Sequence, residues 1–124
     1  MSSIATDERT YVIVITDGGD RNSETPEAEA LQAISRTRTV VDAIVLGDRS
    51  PFLERAAKNT GGTVARASAA SLRSALHEIF LDINSRYLLG YQSTVHTPGW
   101  RAIDVRPVRR DVAVLNARKG YFSR

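Results

Sequence analysis

The sequence predicts an α/β fold: a three-layer, Rossmann-like half-sheet of three parallel strands with helices, followed by a three-stranded antiparallel meander. Three observations carry this. Tyr11-Val-Ile-Val-Ile-Thr16 is an apolar strand that empties into the acidic, glycine-bearing turn Asp17-Gly18-Gly19-Asp20. A strand-then-helix pattern recurs twice more before residue 86. From Tyr87 onward helical periodicity gives way to short strand-like runs broken by proline and glycine. Near-continuous apolar strands suit burial on both faces, and alternating strands and helices imply parallel pairing with right-handed crossovers. The 124 residues make one domain, long enough to bury a core. Residues 1–9 read as a disordered segment or linker, 10–86 as βαβαβα and 87–122 as antiparallel strands.

Each element has a local reason. After the acidic turn, Thr25-Pro26-Glu27 supplies an N-cap, a proline at the first helical position and an acid in the first turn, all favoured at a helix start. That helix should run to about Arg36 and bury Ala30, Leu31 and Ile34. Val40-Val-Asp-Ala-Ile-Val-Leu46 is the second strand, ending at Gly47-Asp48. Ser50-Pro51 caps a second helix carrying Phe52, Leu53, Ala56 and Ala57, and Asn59-Thr-Gly61-Gly62 stops it with the glycines a left-handed helix end favours. Thr63-Val-Ala-Arg66 is a short third strand, and Ser68 can cap a third helix whose Leu72, Leu76, Ile79, Phe80 and Ile83 form one apolar stripe. Tyr87–Tyr91, Trp100–Arg106 and Val112–Ala117 are the expected meander strands. Pro107 belongs at a strand end or an edge, because it has no N–H to donate. Trp100, Tyr87 and Tyr91 read as core or cross-strand packing rather than a binding face.

The net charge of +3 conceals an asymmetry. Residues 1–62 hold 7 basic and 10 acidic side chains, residues 63–124 hold 10 and 4, so the halves carry −3 and +6. Arg101, Arg106, Arg109, Arg110, Arg118 and Lys119 fall where strand periodicity turns charged residues outward, and few aromatics interleave them for base stacking. The basic half therefore reads as a solvated face and not as a nucleic-acid surface. The chain has no cysteine, which excludes disulfides and thiolate metal sites. No apolar run approaches the roughly 20 residues of a membrane span, and the first nine residues lack a signal-peptide core. Localisation is otherwise open.

Function turns on Asp17. A carboxylate at the carboxyl end of a parallel strand stands where open α/β sheets bind ligands and metals, but Asp and Gly also serve turns for backbone reasons. Asp20 lies three residues on, in a turn that hides its side-chain direction, so no metal follows from this pair. His77 is on the third helix and His96 in a loop, and neither joins a serine and an acid in a nucleophile arrangement. No glycine-rich phosphate loop follows a strand. Hydrolase chemistry therefore has no support.

Val12-Ile-Val-Ile-Thr-Asp-Gly-Gly-Asp-Arg-Asn-Ser23 resembles the fourth strand and third metal-site segment of von Willebrand factor A domains. Val41 to Gly47 is similar to the next strand, and Phe52-Leu-Glu-Arg-Ala-Ala-Lys-Asn-Thr-Gly-Gly62 to the helix and glycine turn that follow. Ile83-Asn-Ser-Arg-Tyr-Leu-Leu-Gly-Tyr91, Pro98-Gly-Trp-Arg101 and Ala117-Arg-Lys-Gly-Tyr-Phe122 resemble the carboxyl-terminal signature of the bacterial, Acidobacteria-type von Willebrand factor A-related proteins. The resemblance spans about Arg9 to Phe122 and covers only the second half of the family's domain. A complete domain begins with a strand ending in Asp-x-Ser-x-Ser, has a second loop contributing Thr, and holds a divalent cation between these and the Asp after strand four. Asp17 matches that third position as a vestigial ligand, and nothing else carries over. Mg²⁺ would bind only if a complementary half supplied the missing groups.

The resemblance thus implies a non-enzymatic, adhesion-type recognition module, truncated or split, from a family often found outside the cytoplasm. An alternative likeness, of Thr16–Glu24 to the Asp-x-Asp-Arg-Glu-Gly segment of Toprim domains, would make the chain part of a Mg²⁺-dependent nucleic-acid enzyme. Here the acids are three apart instead of two, and no upstream strand supplies the Glu that chemistry needs. In the family the fourth strand pairs with a first strand that this sequence does not contain. Tyr11, Val12, Ile13, Val14 and Ile15 would then form an apolar edge without charge, proline or bulge to blunt it. The expected partner is a protein, with a homodimer through residues 11–16 as the simplest closed solution.

Overall fold

The computed structural model describes residues 9–17 and 26–123. Three parallel strands, β1 (Tyr11–Thr16), β2 (Val40–Val45) and β3 (Val64–Arg66), form one sheet in the order β1-β2-β3. Helices α1 (Glu27–Ser35), α2 (Pro51–Thr60) and α3 (Leu72–Ser85) follow them in turn. A separate antiparallel pair, β4 (Gly99–Ala102) and β5 (Gly120–Ser123), closes the chain. The α/β class and the three parallel strands are as expected from sequence.

β2 is the centre of the molecule, and all six of its residues are buried. Successive side chains on a strand point to opposite faces, which sorts the two outer layers. Ala43 and Val45 pack with Leu53 of α2, joined by Val14, Phe52 and Val64. The opposite face carries Asp42, which pairs with Arg86 at the carboxyl end of α3, and Asp82 shares the same guanidinium. Helices therefore cover both faces of the sheet.

Capping chemistry sets the helix ends. The Ser50 side chain accepts from Leu53 N at 3.4 Å, and Pro51 follows it at the first helical position. Gly61 stops α2 with φ +84°, a left-handed conformation that a Cβ would strain. Thr60, buried, ends α2 with its hydroxyl donating to Ala56 O at 2.8 Å and accepting from Val41 N at 2.9 Å. β3 begins too late to serve Val41, so the hydroxyl satisfies a backbone donor that burial would otherwise leave costly. At α3, Ser68 and Ser71 bond to each other and the helix starts at Leu72, with Ser71 in the cap position. Thr25 lies outside the described residues; Pro26 precedes α1 without a side-chain cap.

Three expectations are corrected. The meander has two strands: Tyr87–Tyr91 and Val112–Ala117 are irregular, the Trp100 strand ends at Ala102, and its partner is Gly120–Ser123. The pairing follows the aromatics, since Trp100 meets Phe122 edge-on at 5.0 Å between ring centroids. Such cross-strand pairs favour a register, and Pro107 falls in the connecting loop. Second, no residue of α1 is fully buried, and Ala30, Leu31 and Ile34 are only partly covered. Third, only Ile79 of the α3 stripe is buried, with Phe80 50% exposed, because α3 lies against a three-stranded sheet too narrow to cover its whole apolar face. Tyr87 is likewise exposed rather than packed, while Tyr91 donates its hydroxyl to that of Tyr121 at 2.7 Å.

Candidate functional site

The carboxyl-terminal rim of the sheet is where ligands collect in open α/β folds. Asp17 stands there, exposed, directly after β1. β2 holds its backbone close: Leu46 N donates to Thr16 O at 2.8 Å, and a Cβ on Gly47 would lie 2.2 Å from the Asp17 carbonyl oxygen. Only a glycine lets the two strand ends approach this closely. Around them, Arg66 donates to Gly47 O at 3.0 Å, and Arg49 pairs with Glu54 at 2.7 Å on the surface. That pair holds the Glu54 carboxyl below its usual range and Arg49 above its own, chiefly through the hydrogen bond between them. Among the described residues no three His, Cys, Asp or Glu side chains gather as a metal site. A divalent ion demands several oxygen ligands. Asp20 lies outside the described residues.

His77 and His96 are both exposed and far apart in sequence, on α3 and in the loop before β4. The basic carboxyl-terminal residues are largely engaged with the protein itself. Arg106 pairs with Asp104, Arg109 with Asp111, and Arg101 bonds the hydroxyl of Thr97 at 2.9 Å. Arg118 is half-buried and bonds only backbone: Ser35 O at 2.9 Å, Thr37 O, Thr39 O at 3.3 Å and Gly120 O at 2.8 Å. Burial, then the charge of Arg9, lowers its affinity for the proton. It serves as a latch that ties the segment before β5 to the end of α1 and the start of β2.

The second structural ion site is more deeply placed. Asp42 is fully buried on β2 and receives Arg86 in a two-pronged bond, Nη2 to Oδ1 at 2.6 Å and Nη1 to Oδ2 at 3.1 Å. Thr63 adds its N–H at 2.9 Å and its hydroxyl at 3.2 Å to Oδ1. Asp82 shares the guanidinium through Nε at 3.0 Å. Burial pulls the Arg86 proton affinity down, and the bonds to Asp42 and Asp82 more than offset it, so the net direction is up. The signal in the sequence was an acid inside an otherwise apolar strand, which burial requires to be paired.

The remaining feature is the outer edge of β1. Val40 N donates to Thr10 O and Leu46 N to Thr16 O. In a parallel ladder this places the backbone groups of Thr10, Val12, Val14 and Thr16 toward β2, and those of Tyr11, Ile13 and Ile15 outward. Among the described residues β1 pairs only with β2. Beside this edge, under α1, runs an apolar groove of about 370 Å³ lined by Val12, Val14, Ile34, Phe52, Leu53 and Ala56 among others. It accompanies the partial burial of α1, and Val12, which lines it, stays 41% exposed. Tyr11 to Ile15 lie in β1, the end strand of the sheet among the described residues. The groove was not foreseen, since it arises from how far α1 stands off the sheet and not from any pattern in the chain.

No helix among the described residues is long and apolar enough to cross a membrane. Compared with protein-family models, curated proteins and solved structures, the chain matches none.

Proposed function

We propose that this chain is a non-enzymatic recognition module, similar in kind to von Willebrand factor A domains but without a working metal site, that binds a protein by accepting an extended strand on β1. The single observation that carries this reading is the edge itself. Tyr11, Ile13 and Ile15 direct their backbone groups away from β2, and an apolar groove of about 370 Å³ lies next to them. In strand addition the main chain supplies affinity and pockets for alternate side chains supply selectivity, and this edge offers both. Val12 and Val14 form the groove floor, so an added strand presents every second side chain to it. A second copy of the chain is the simplest partner. The engagement of the arginines with the protein's own acids and carbonyls favours recognition over nucleic-acid chemistry.

The test uses a labelled nine-residue peptide with the sequence of residues 9–17, N-methylated on alternate amides so that only one of its edges can pair. Fluorescence anisotropy should show saturable binding that is lost in Ile13→Pro. That proline removes an outward N–H and leaves the β1-β2 ladder whole. No saturable binding up to millimolar protein, together with a monomeric chain, would defeat the reading.

A further inference from the structure

Resting on the strand-addition reading, we infer that the occupant of the β1 edge is a second copy of this chain, paired antiparallel about a two-fold axis through Ile13. The geometry selects this register. Only Tyr11, Ile13 and Ile15 have backbone groups facing outward within the strand, so an antiparallel mate must place an odd-numbered residue opposite an odd-numbered one. Centring on Ile13 sets Ile13 opposite its own copy and Tyr11 opposite Ile15 of the partner subunit, which engages every outward group and forms about six interchain hydrogen bonds. Sliding by two residues in either direction leaves outward groups of Tyr11 or Ile15 without a strand partner.

Two further features agree with the same register. Arg9 and Asp17 lie at the two ends of β1, four residues either side of Ile13. The register therefore brings Arg9 of each copy beside Asp17 of the partner subunit, a match of opposite charges at both ends of the seam. On the groove face it sets Val12 opposite Val14 of the partner subunit. These are non-hydrogen-bonded positions, where cross-strand side chains approach most closely. Val12, 41% exposed in the single chain, is thereby covered. A two-fold axis normal to the sheet keeps both grooves and both α1 helices on one face of the joined sheet. The interface is self-complementary, as closed dimers require.

Cysteine cross-linking with light scattering tests this, and the absence of native cysteine makes the assay clean. The wild-type chain at tens of micromolar should scatter as twice its mass of 13.6 kDa, and Ile13→Pro as a single chain with an unchanged circular dichroism spectrum. Under mild oxidation Ile13→Cys should cross-link nearly completely, since self-opposed Cα atoms at a paired position stand about 5.5 Å apart. Tyr11→Cys should not, its two copies being about 13 Å apart along the seam. A wild-type monomer at that concentration overturns the dimer, as does cross-linking of Tyr11→Cys in preference to Ile13→Cys. A monomer that still binds the strand peptide overturns the dimer alone; a monomer that does not bind it overturns strand addition as well.

Discussion

Arg86 reaches across 44 residues of chain to close a two-pronged ion pair on Asp42, a carboxylate with no solvent exposure at the centre of the sheet. The pair fixes the carboxyl end of α3 over β2. It also sets Arg86 over the ring of Tyr11, 5.6 Å from the centroid, at the beginning of the edge strand. The same guanidinium thus ties the helix, the central strand and the edge strand together.

Breaking that pair from one side leaves a buried charge without its counter-ion, at a cost of about 3–5 kcal/mol. Arg86→Met should destabilise the fold by about that amount in urea denaturation. Asp82→Ala should cost about 1 kcal/mol or less, because Asp82 is 45% exposed and its share of the interaction is screened. The double variant Asp42→Leu/Arg86→Met should recover much of the loss, since it removes both charges together. Equal destabilisation by Arg86→Met and Asp82→Ala would show that the buried pair does not dominate.

Thr60 makes a narrower case. Its hydroxyl is the partner of Val41 N, and valine has nearly the same shape without the oxygen. Thr60→Val should cost about 1–3 kcal/mol, the penalty of a buried unsatisfied donor, with no change in the slope of the denaturation curve. A neutral substitution would mean that Val41 N finds another acceptor.

The Arg118 latch predicts a local effect. Its guanidinium spans four carbonyls, a fork that the compact ammonium of lysine cannot reproduce. Arg118→Lys should loosen β5 from the end of α1, and limited proteolysis should then cut the carboxyl-terminal segment faster while the β1-β2-β3 unit stays intact. Identical digestion patterns would assign the latch no role in holding the tail.

Much of this architecture was legible in the chain. The parallel strands and their helices followed from apolar runs alternating with capped, periodic segments, and Ser50-Pro51 and Gly61 marked the limits of α2 with little ambiguity. The carboxyl-terminal third was less legible. Tyr87–Tyr91 and Val112–Ala117 have strand-like composition, but strand pairing is decided by tertiary partners, and the Trp100–Phe122 contact selected Gly120–Ser123 instead. At the candidate site, the apolar run Tyr11–Ile15 was plain in the sequence, but its place at an edge was expected only through the family resemblance, since an apolar run without charge or proline reads equally as a buried strand. The groove could not be read, since no local pattern encodes the distance between α1 and the sheet. Arg86 was hidden for the same reason, its partner lying 44 residues away.

Asp17 yields a prediction about metal. With no acid cluster among the described residues, millimolar Mg²⁺ or Mn²⁺ should leave the melting temperature unchanged, because stabilisation requires a dissociation constant below the ion concentration. Calorimetric titration showing a saturable site that disappears in Asp17→Ala would restore the metal-dependent adhesion reading.

The central claim is that β1 accepts a strand, and residue-resolved amide exchange tests it most directly. The amides of Val12 and Val14 face β2 and should be protected under every condition. Those of Tyr11, Ile13 and Ile15 should exchange readily in dilute Ile15→Lys, a variant that puts a charge into the apolar seam, and should become protected in the wild-type chain at high concentration or with the residue 9–17 peptide added. Fast exchange at Tyr11, Ile13 and Ile15 in the concentrated wild-type chain, with or without the peptide, would contradict the account.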